Sequence, residues 1–111
     1  TGEDGLALEF NKRGGVGIIS VTANIAPKQC ADMQKFSKST NNDDIKKAEL
    51  IDKSLQPLHK ALFIESNPAP VKYAAKILGL CSDEIRLPLV NIQKKTEEEV
   101  NKALSIAKLV N

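Results

Sequence analysis

From Asp43 onward, Ile45, Ala48, Ile51, Leu55, Leu58 and Leu62 recur at spacings of three and four, which puts one apolar stripe on a long helix. Pro57 falls inside that helix; its ring should clash with the Lys53 carbonyl and kink it. Upstream, Leu6, Leu8 and Phe10 predict a short helix that follows the acidic loop Thr1–Gly5 and stops at Gly14-Gly15, with Gly14 suited to the left-handed position past a helix end. Pro27 fits the first turn of a further helix. That helix carries Cys30, Met33 and Phe36 on one side and ends in Ser39-Thr40-Asn41-Asn42. Asn67-Pro68-Ala69-Pro70 reads as a rigid connector to a short helix, Val71–Leu78, closed by Gly79. Thr96-Glu97-Glu98-Glu99 reads as a capping box with Glu99 at the third helical position, opening a last helix that buries Val100, Leu104, Ala107 and, at its end, Val110.

Val16-Gly17-Ile18-Ile19-Ser20-Val21 breaks this periodicity. It is apolar for most of its length and fits a strand covered on both faces, as in a parallel sheet. Leu87–Val90 is a weaker strand candidate, interrupted by Pro88. A single strand cannot satisfy its own backbone donors and acceptors, because ladder bonds need neighbouring strands. No such neighbours can be read in the remaining residues. The order loop, helix, strand, loop, helix is that of the end of a repeating α/β unit, so the missing strands are expected before Thr1.

Composition narrows the function classes. The chain has 111 residues, 27% of them charged, with a net charge of +2. Its lysines alternate with carboxylates, so no basic stripe follows a phosphate backbone, and aromatics for base stacking make up only 4%. Nucleic acid is excluded as a partner on these grounds. No apolar run reaches the roughly 18–20 residues of a membrane span, and no signal-like segment opens the chain. Cys30 and Cys81 read as buried free thiols in a reducing cytosol.

Candidate chemistry is sparse. Gly14-Gly15-Val16-Gly17 precedes the strand, whereas a phosphate-binding glycine loop follows one. Glu3 and Asp4 read as charges that offset a helix N-terminus more readily than as an acid–base pair. His59 is the only histidine and lacks companion ligands, so no metal site is expected. Lys72, in Pro70-Val71-Lys72-Tyr73-Ala74-Ala75, has the most apolar neighbours of any lysine, yet reads as an exposed or snorkelling side chain and not as a depressed-pKa nucleophile. No complete catalytic set is present.

Three stretches in order, Gly17-Ile18-Ile19-Ser20-Val21-Thr22-Ala23-Asn24, Asn67-Pro68-Ala69-Pro70-Val71-Lys72 and Arg86-Leu87-Pro88-Leu89, with Thr1-Gly2-Glu3-Asp4 in front, resemble the C-terminal part of the dihydrodipicolinate synthase family. The proline-rich stretch is the most specific of them. The resemblance implies an α/β fold: the C-terminal portion of a (β/α)8 TIM barrel, its active site at the C-terminal face of the strands. Residues 1–40 would be the end of the barrel, with Val16–Val21 as the eighth strand and Pro27–Thr40 as the eighth barrel helix. Residues 41–111 would form a helical C-terminal extension.

The same resemblance implies a lyase of lysine and diaminopimelate biosynthesis in the cytoplasm. In that family a lysine at the end of strand six forms a Schiff base with pyruvate, and the resulting enamine attacks aspartate semialdehyde. That lysine, a Thr/Tyr proton relay and a carboxylate-holding arginine belong upstream, so no catalytic residue is expected in this chain; Tyr73 and Arg86 lie in the extension and do not replace them. Two residues carry over as substrate-binding: Ile19, through its carbonyl facing the lysine and pyruvate, and Gly2, beside the second substrate. No cofactor or metal is implied, and the complete enzyme is expected to be a homotetramer. The sugar-cleaving branch of the superfamily places an acidic side chain near Gly5, which argues against a sugar substrate here. A non-catalytic helical association module, or another pyruvate-dependent aldolase of the superfamily, is the alternative.

Overall fold

Asn41 starts the longest helix by accepting the Asp43 N–H on its side chain at 2.8 Å, as an N-cap residue does. This is seen in a computed structural model that describes all residues 1–111. Five α-helices form: α1 (Ala7–Lys12), α2 (Pro27–Ser37), α3 (Asn42–Ala61), α4 (Ala69–Ile77) and α5 (Lys94–Ile106). Single 3-10 turns at Asp4–Leu6 and Thr22–Asn24 precede α1 and α2. Asp43 and Asp44 sit in the first turn of α3, and His59 and Lys60 in its last, each sign matching the helix dipole. The helix runs on through Pro57 to Ala61, although proline offers no N–H to the Lys53 carbonyl.

The stripe on α3 does what its spacing predicts. Leu55, Leu58, Ala61 and Leu62 are buried in one core with Ile25, Cys30, Val71, Tyr73, Val100 and Leu104. α2 and α5 pack on α3, and α4 packs on α5. Each fully buried leucine here contributes about 1.5–3 kcal/mol relative to an exposed one. α1 is tied to α2 by the buried Asn11, whose amide donates to Gln34 Oε1 at 2.8 Å and Ser37 Oγ at 2.9 Å. Gly14, at φ 94°, ends α1 in the left-handed region that favours glycine.

Several expectations need correction. α5 begins at Lys94 with Gln93 as its cap, so Thr96 is a buried third-position residue inside the helix and not the cap of a box. The Glu65 carboxylate accepts the Gln93 N–H at 2.9 Å and fixes the helix start upstream of the expected position. α4 starts at Ala69, so Ala69 and Pro70 belong to its first turn and the connector is shorter than read. Leu87–Val90 forms a turn and not a strand; the Leu89 N–H folds back to the Arg86 carbonyl at 3.1 Å. Cys30 is buried, but Cys81 is exposed.

The segment Val16–Val21 forms no sheet within this chain. Val16 and Ile19 are 85% and 88% exposed. It nevertheless keeps one rung of a parallel ladder. The Thr1 amino nitrogen donates to the Gly17 carbonyl at 3.3 Å and the Thr1 carbonyl accepts the Ile19 N–H at 3.1 Å. That slanted pair, bracketing Ile18, is the bonding pattern of parallel neighbours. The apolar run is thus extended and carries one rung of the parallel pattern, but it is not a strand within residues 1–111. The neighbours that would complete a sheet are not among these residues.

Candidate functional site

Ile19 lies at the end of the extended segment, and Gly2 lies between Thr1, which bonds to that segment, and Glu3. A second rung of the ladder would have the Glu3 N–H donating to the Ile19 carbonyl and the Val21 N–H donating to the Glu3 carbonyl. Neither bond forms. The Glu3 N–H turns to the hydroxyl two residues before it, Thr1 Oγ1, at 3.2 Å. The Glu3 carbonyl accepts the Leu6 N–H at 3.1 Å, and the Val21 N–H goes to Asp4 Oδ2 at 3.0 Å. The Ile19 carbonyl is left without a hydrogen-bond donor, although the N–H of the same residue is bonded to the Thr1 carbonyl.

Asp4 ties this end of the segment together. Its side chain is 4% exposed. One carboxylate oxygen accepts the Ser20 hydroxyl, and the other accepts the Val21 N–H and, at 3.3 Å, the Thr22 N–H. The Ser20 hydroxyl oxygen also accepts the Ala23 N–H at 2.9 Å. A buried carboxylate is tolerable only when its lone pairs are filled in this way. The expected role of Asp4 as an offset for a helix dipole is therefore secondary to its bonds with the strand end.

Thr22 extends the network inward. Its Oγ1 lies 2.7 Å from His59 Nδ1, and both residues are buried. His59 Nε2 is buried with no partner. Burial pushes the His59 pKa below its ordinary value, and the carboxylates of Asp4, Asp52 and Glu3 oppose that shift. Cys30 is also near this cluster: burial, reinforced by the Asp4 charge, pushes its thiol up to about 11. The periodicity of α3 already carried a signal for His59, which stands four residues after Leu55 and three before Leu62, on the buried stripe. Nothing in the local sequence announced the bonds of Asp4, because they join residues 16 to 18 positions apart.

Two grooves open at this end. One, of about 480 Å³, brings Ile19, Ser20 and Asn24 together with Asn67, Pro68 and Lys72, so the proline-rich stretch and the end of the extended segment share a surface. Lys72 is occupied there, its ammonium donating to the Glu84 carbonyl. The other, of about 610 Å³, is lined by Glu3, Gly5, Gln56, His59, Lys60 and Phe63. Gly2 faces open space, whereas a side chain at Gly5 would touch Gln56 Oε1 at 3.4 Å. The Gly5 carbonyl accepts Gln56 Nε2 at 3.0 Å. Tyr73 is buried against Asn101, which donates to its hydroxyl at 3.1 Å, and takes no part in either groove. No helix is long and apolar enough to cross a membrane.

Comparison with known proteins places the sequence and the fold in one family. The sequence profile of the Dihydrodipicolinate synthetase family matches residues 1–107. The 4-hydroxy-tetrahydrodipicolinate synthase of Pelagibacter ubique (strain HTCC1062) is 62% identical over 110 residues, which are 99% of this chain and 38% of the relative. The corresponding protein of Parvibaculum lavamentivorans is 52% identical over 111 residues, covering 100% of this chain and 37% of the relative. Dihydrodipicolinate synthase from Thermotoga maritima superposes with a TM-score of 0.90 at 38% identity, over 98% of this chain and 36% of that one. The chloride-inhibited Acinetobacter baumannii synthase complexed with pyruvate gives a TM-score of 0.88 at 38% identity, with coverage of 98% and 36%. The chain spans little more than a third of the length of these relatives, and its fold is that of the C-terminal part of their TIM barrel.

Proposed function

The chain belongs to the dihydrodipicolinate synthetase family, and from that premise we propose that it supplies the C-terminal part of a Schiff-base lyase joining pyruvate to aspartate semialdehyde. The product is 4-hydroxy-tetrahydrodipicolinate, formed on the path to lysine and diaminopimelate. The reaction begins when a lysine amine, carried by another part of the barrel, adds to the pyruvate ketone and loses water to give an imine. Loss of a methyl proton turns the imine into an enamine, whose carbon attacks the aldehyde of the second substrate. Cyclisation and release return the amine. None of the lysines in residues 1–111 is the nucleophile on this reading.

What this chain contributes is backbone. The observation that carries the proposal is the Ile19 carbonyl, left without its ladder donor at the end of the extended segment. A fixed carbonyl within reach of an amine orients it and favours its protonated form, without a side chain. Gly2 carries no side chain that would stand in the way of the second substrate. Gly5 offers no acidic group to read sugar hydroxyls, and its carbonyl is engaged by Gln56. That favours a short aldehyde over a sugar.

The complete enzyme is proposed to be a cytoplasmic homotetramer. At the end of α1, Lys12 pairs with Glu49 at 2.7 Å and Arg13 with Glu9 at 2.8 Å, so these charges are offset within the chain and do not bar an interface. The functional test is turnover in a complete barrel in which residues 1–111 replace the homologous part of the Pelagibacter ubique relative. Pyruvate with aspartate semialdehyde should be consumed together. Turnover with a sugar aldehyde in place of the semialdehyde, and none with the semialdehyde, would overturn the substrate assignment.

A further inference from the structure

We propose that Thr1 and Asp4 are positioning residues: between them they end the parallel ladder one rung early, and this frees the Ile19 carbonyl for the active-site amine. The inference rests on the reading of Ile19 given under the proposed function and adds to it the side chains that make the carbonyl available.

In a regular parallel pair every carbonyl that faces the partner strand accepts a donor from it. After the rung that brackets Ile18, the next donor to the Ile19 carbonyl would be the Glu3 N–H. The Thr1 hydroxyl takes that donor at 3.2 Å. The partner bond of the same rung, from the Val21 N–H to the Glu3 carbonyl, is also replaced. Asp4 Oδ2 accepts the Val21 N–H at 3.0 Å, and the Glu3 carbonyl turns into the first turn before α1 to accept the Leu6 N–H at 3.1 Å. Both substitutes are needed. If the hydroxyl alone were lost, the Glu3 N–H would need another acceptor, and the Ile19 carbonyl is the one the ladder offers. If the carboxylate were lost, the Val21 N–H would be drawn toward the Glu3 carbonyl and the second rung would close.

The network behind Asp4 keeps it from relaxing. Its carboxylate also holds the Ser20 hydroxyl and the Thr22 N–H, and the Thr22 hydroxyl is held by His59 at 2.7 Å. The segment end is therefore fixed from residues 20 to 22, while the Ile19 carbonyl, on the edge that faces Thr1, is left open. Unlike a side-chain acceptor, a carbonyl presented this way costs no rotamer entropy when the amine binds it.

The test uses the complete barrel chimera described above and measures the rate of pyruvate Schiff-base formation, by borohydride trapping, as a function of pH. In Thr1→Val the plateau rate should fall about tenfold, because the amine loses its orienting acceptor. The midpoint should also move to lower pH, because an acceptor that favours the ammonium form is lost. Thr1→Ser, which keeps the hydroxyl, should restore both. A merely structural role would lower the melting temperature and leave the pH midpoint in place. Asp4→Asn is the second variant and should shift the plateau and midpoint in the same directions. A folded Thr1→Val or Asp4→Asn chimera with the plateau and midpoint of the unsubstituted one overturns the inference, as does failure of both variants to fold. An unsubstituted chimera that cannot be trapped at all overturns the proposed function instead, and this inference with it.

Discussion

The Thr1 carbonyl accepts the Ile19 N–H at 3.1 Å, joining residue 1 to the extended segment in the bonding pattern of parallel neighbours. Ile19→Pro removes that donor and displaces the carbonyl that follows it, and should abolish pyruvate binding in the complete barrel. Ile19→Val tests something different. In the 111-residue chain the side chain is 88% exposed, so the change should move stability by less than about 0.5 kcal/mol. In the complete barrel, where neighbouring strands and helices cover it, the cost should rise to about 0.5–1.5 kcal/mol with activity nearly intact. Equal effects in the two settings, read from denaturant unfolding, would mean that the side chain is not covered by the barrel.

Exposed apolar side chains predict how the 111-residue chain behaves alone. Val16, Ile19, Leu80, Leu87 and Val90 all stand in solvent, and the extended segment has unpaired backbone on one edge. Such an edge is a template for pairing with another chain. Light scattering on the isolated chain should show self-association that grows with concentration. A monodisperse monomer at every concentration would contradict this.

His59 should titrate below the ordinary histidine value because its buried ring resists charging. The sign follows from linkage: with the folded pKa lowered, the unfolded state takes up the proton first. The contribution of the neutral ring to stability is therefore full above about pH 6.5 and is lost as pH falls through the folded pKa. In a histidine NMR titration of the complete barrel, the resonance missing from His59→Gln should have its midpoint below 6.5. Thr22→Val leaves Nδ1 without its partner and should weaken the fold by about 1–3 kcal/mol. A midpoint at or above the ordinary value would contradict the buried neutral ring.

The two thiols should separate cleanly. Cys81 is exposed, whereas Cys30 is buried with its pKa pushed up to about 11, which leaves almost no thiolate at neutral pH. A disulfide reagent added to the native 111-residue chain at pH 8 should label Cys81 quickly and Cys30 only as the fold opens. Equal rates for the two would show that the core around Cys30 is open.

The helical part of the fold was legible because burial there follows a period of three to four: Ala48, Leu55 and Leu58 on α3 with Leu62 just after it, and Val100 and Leu104 on α5 with Ala107 just after it, are buried as their spacing requires. Helix ends were less legible. Thr96 looked like a cap, but Glu65, distant in sequence, sets the start of α5 by holding the Gln93 N–H. The extended segment was legible as a strand by composition, yet its partner rung depends on Thr1, 17 positions before Ile18. At the candidate site, Ile19 and Gly2 were reached through motif resemblance. The devices that set the Ile19 carbonyl free, the Thr1 hydroxyl and the Asp4 carboxylate, act across turns and chain separations that no local pattern encodes.

The measurement that bears most directly on this account is the location of the pyruvate adduct. The isolated 111-residue chain and the complete barrel are each incubated with pyruvate, reduced with borohydride and mapped by peptide mass spectrometry. The isolated chain should remain unmodified, and the complete barrel should gain one reduced pyruvyl group on a lysine outside residues 1–111. A stoichiometric adduct on any lysine within residues 1–111, or a complete barrel that pyruvate does not modify, would contradict it.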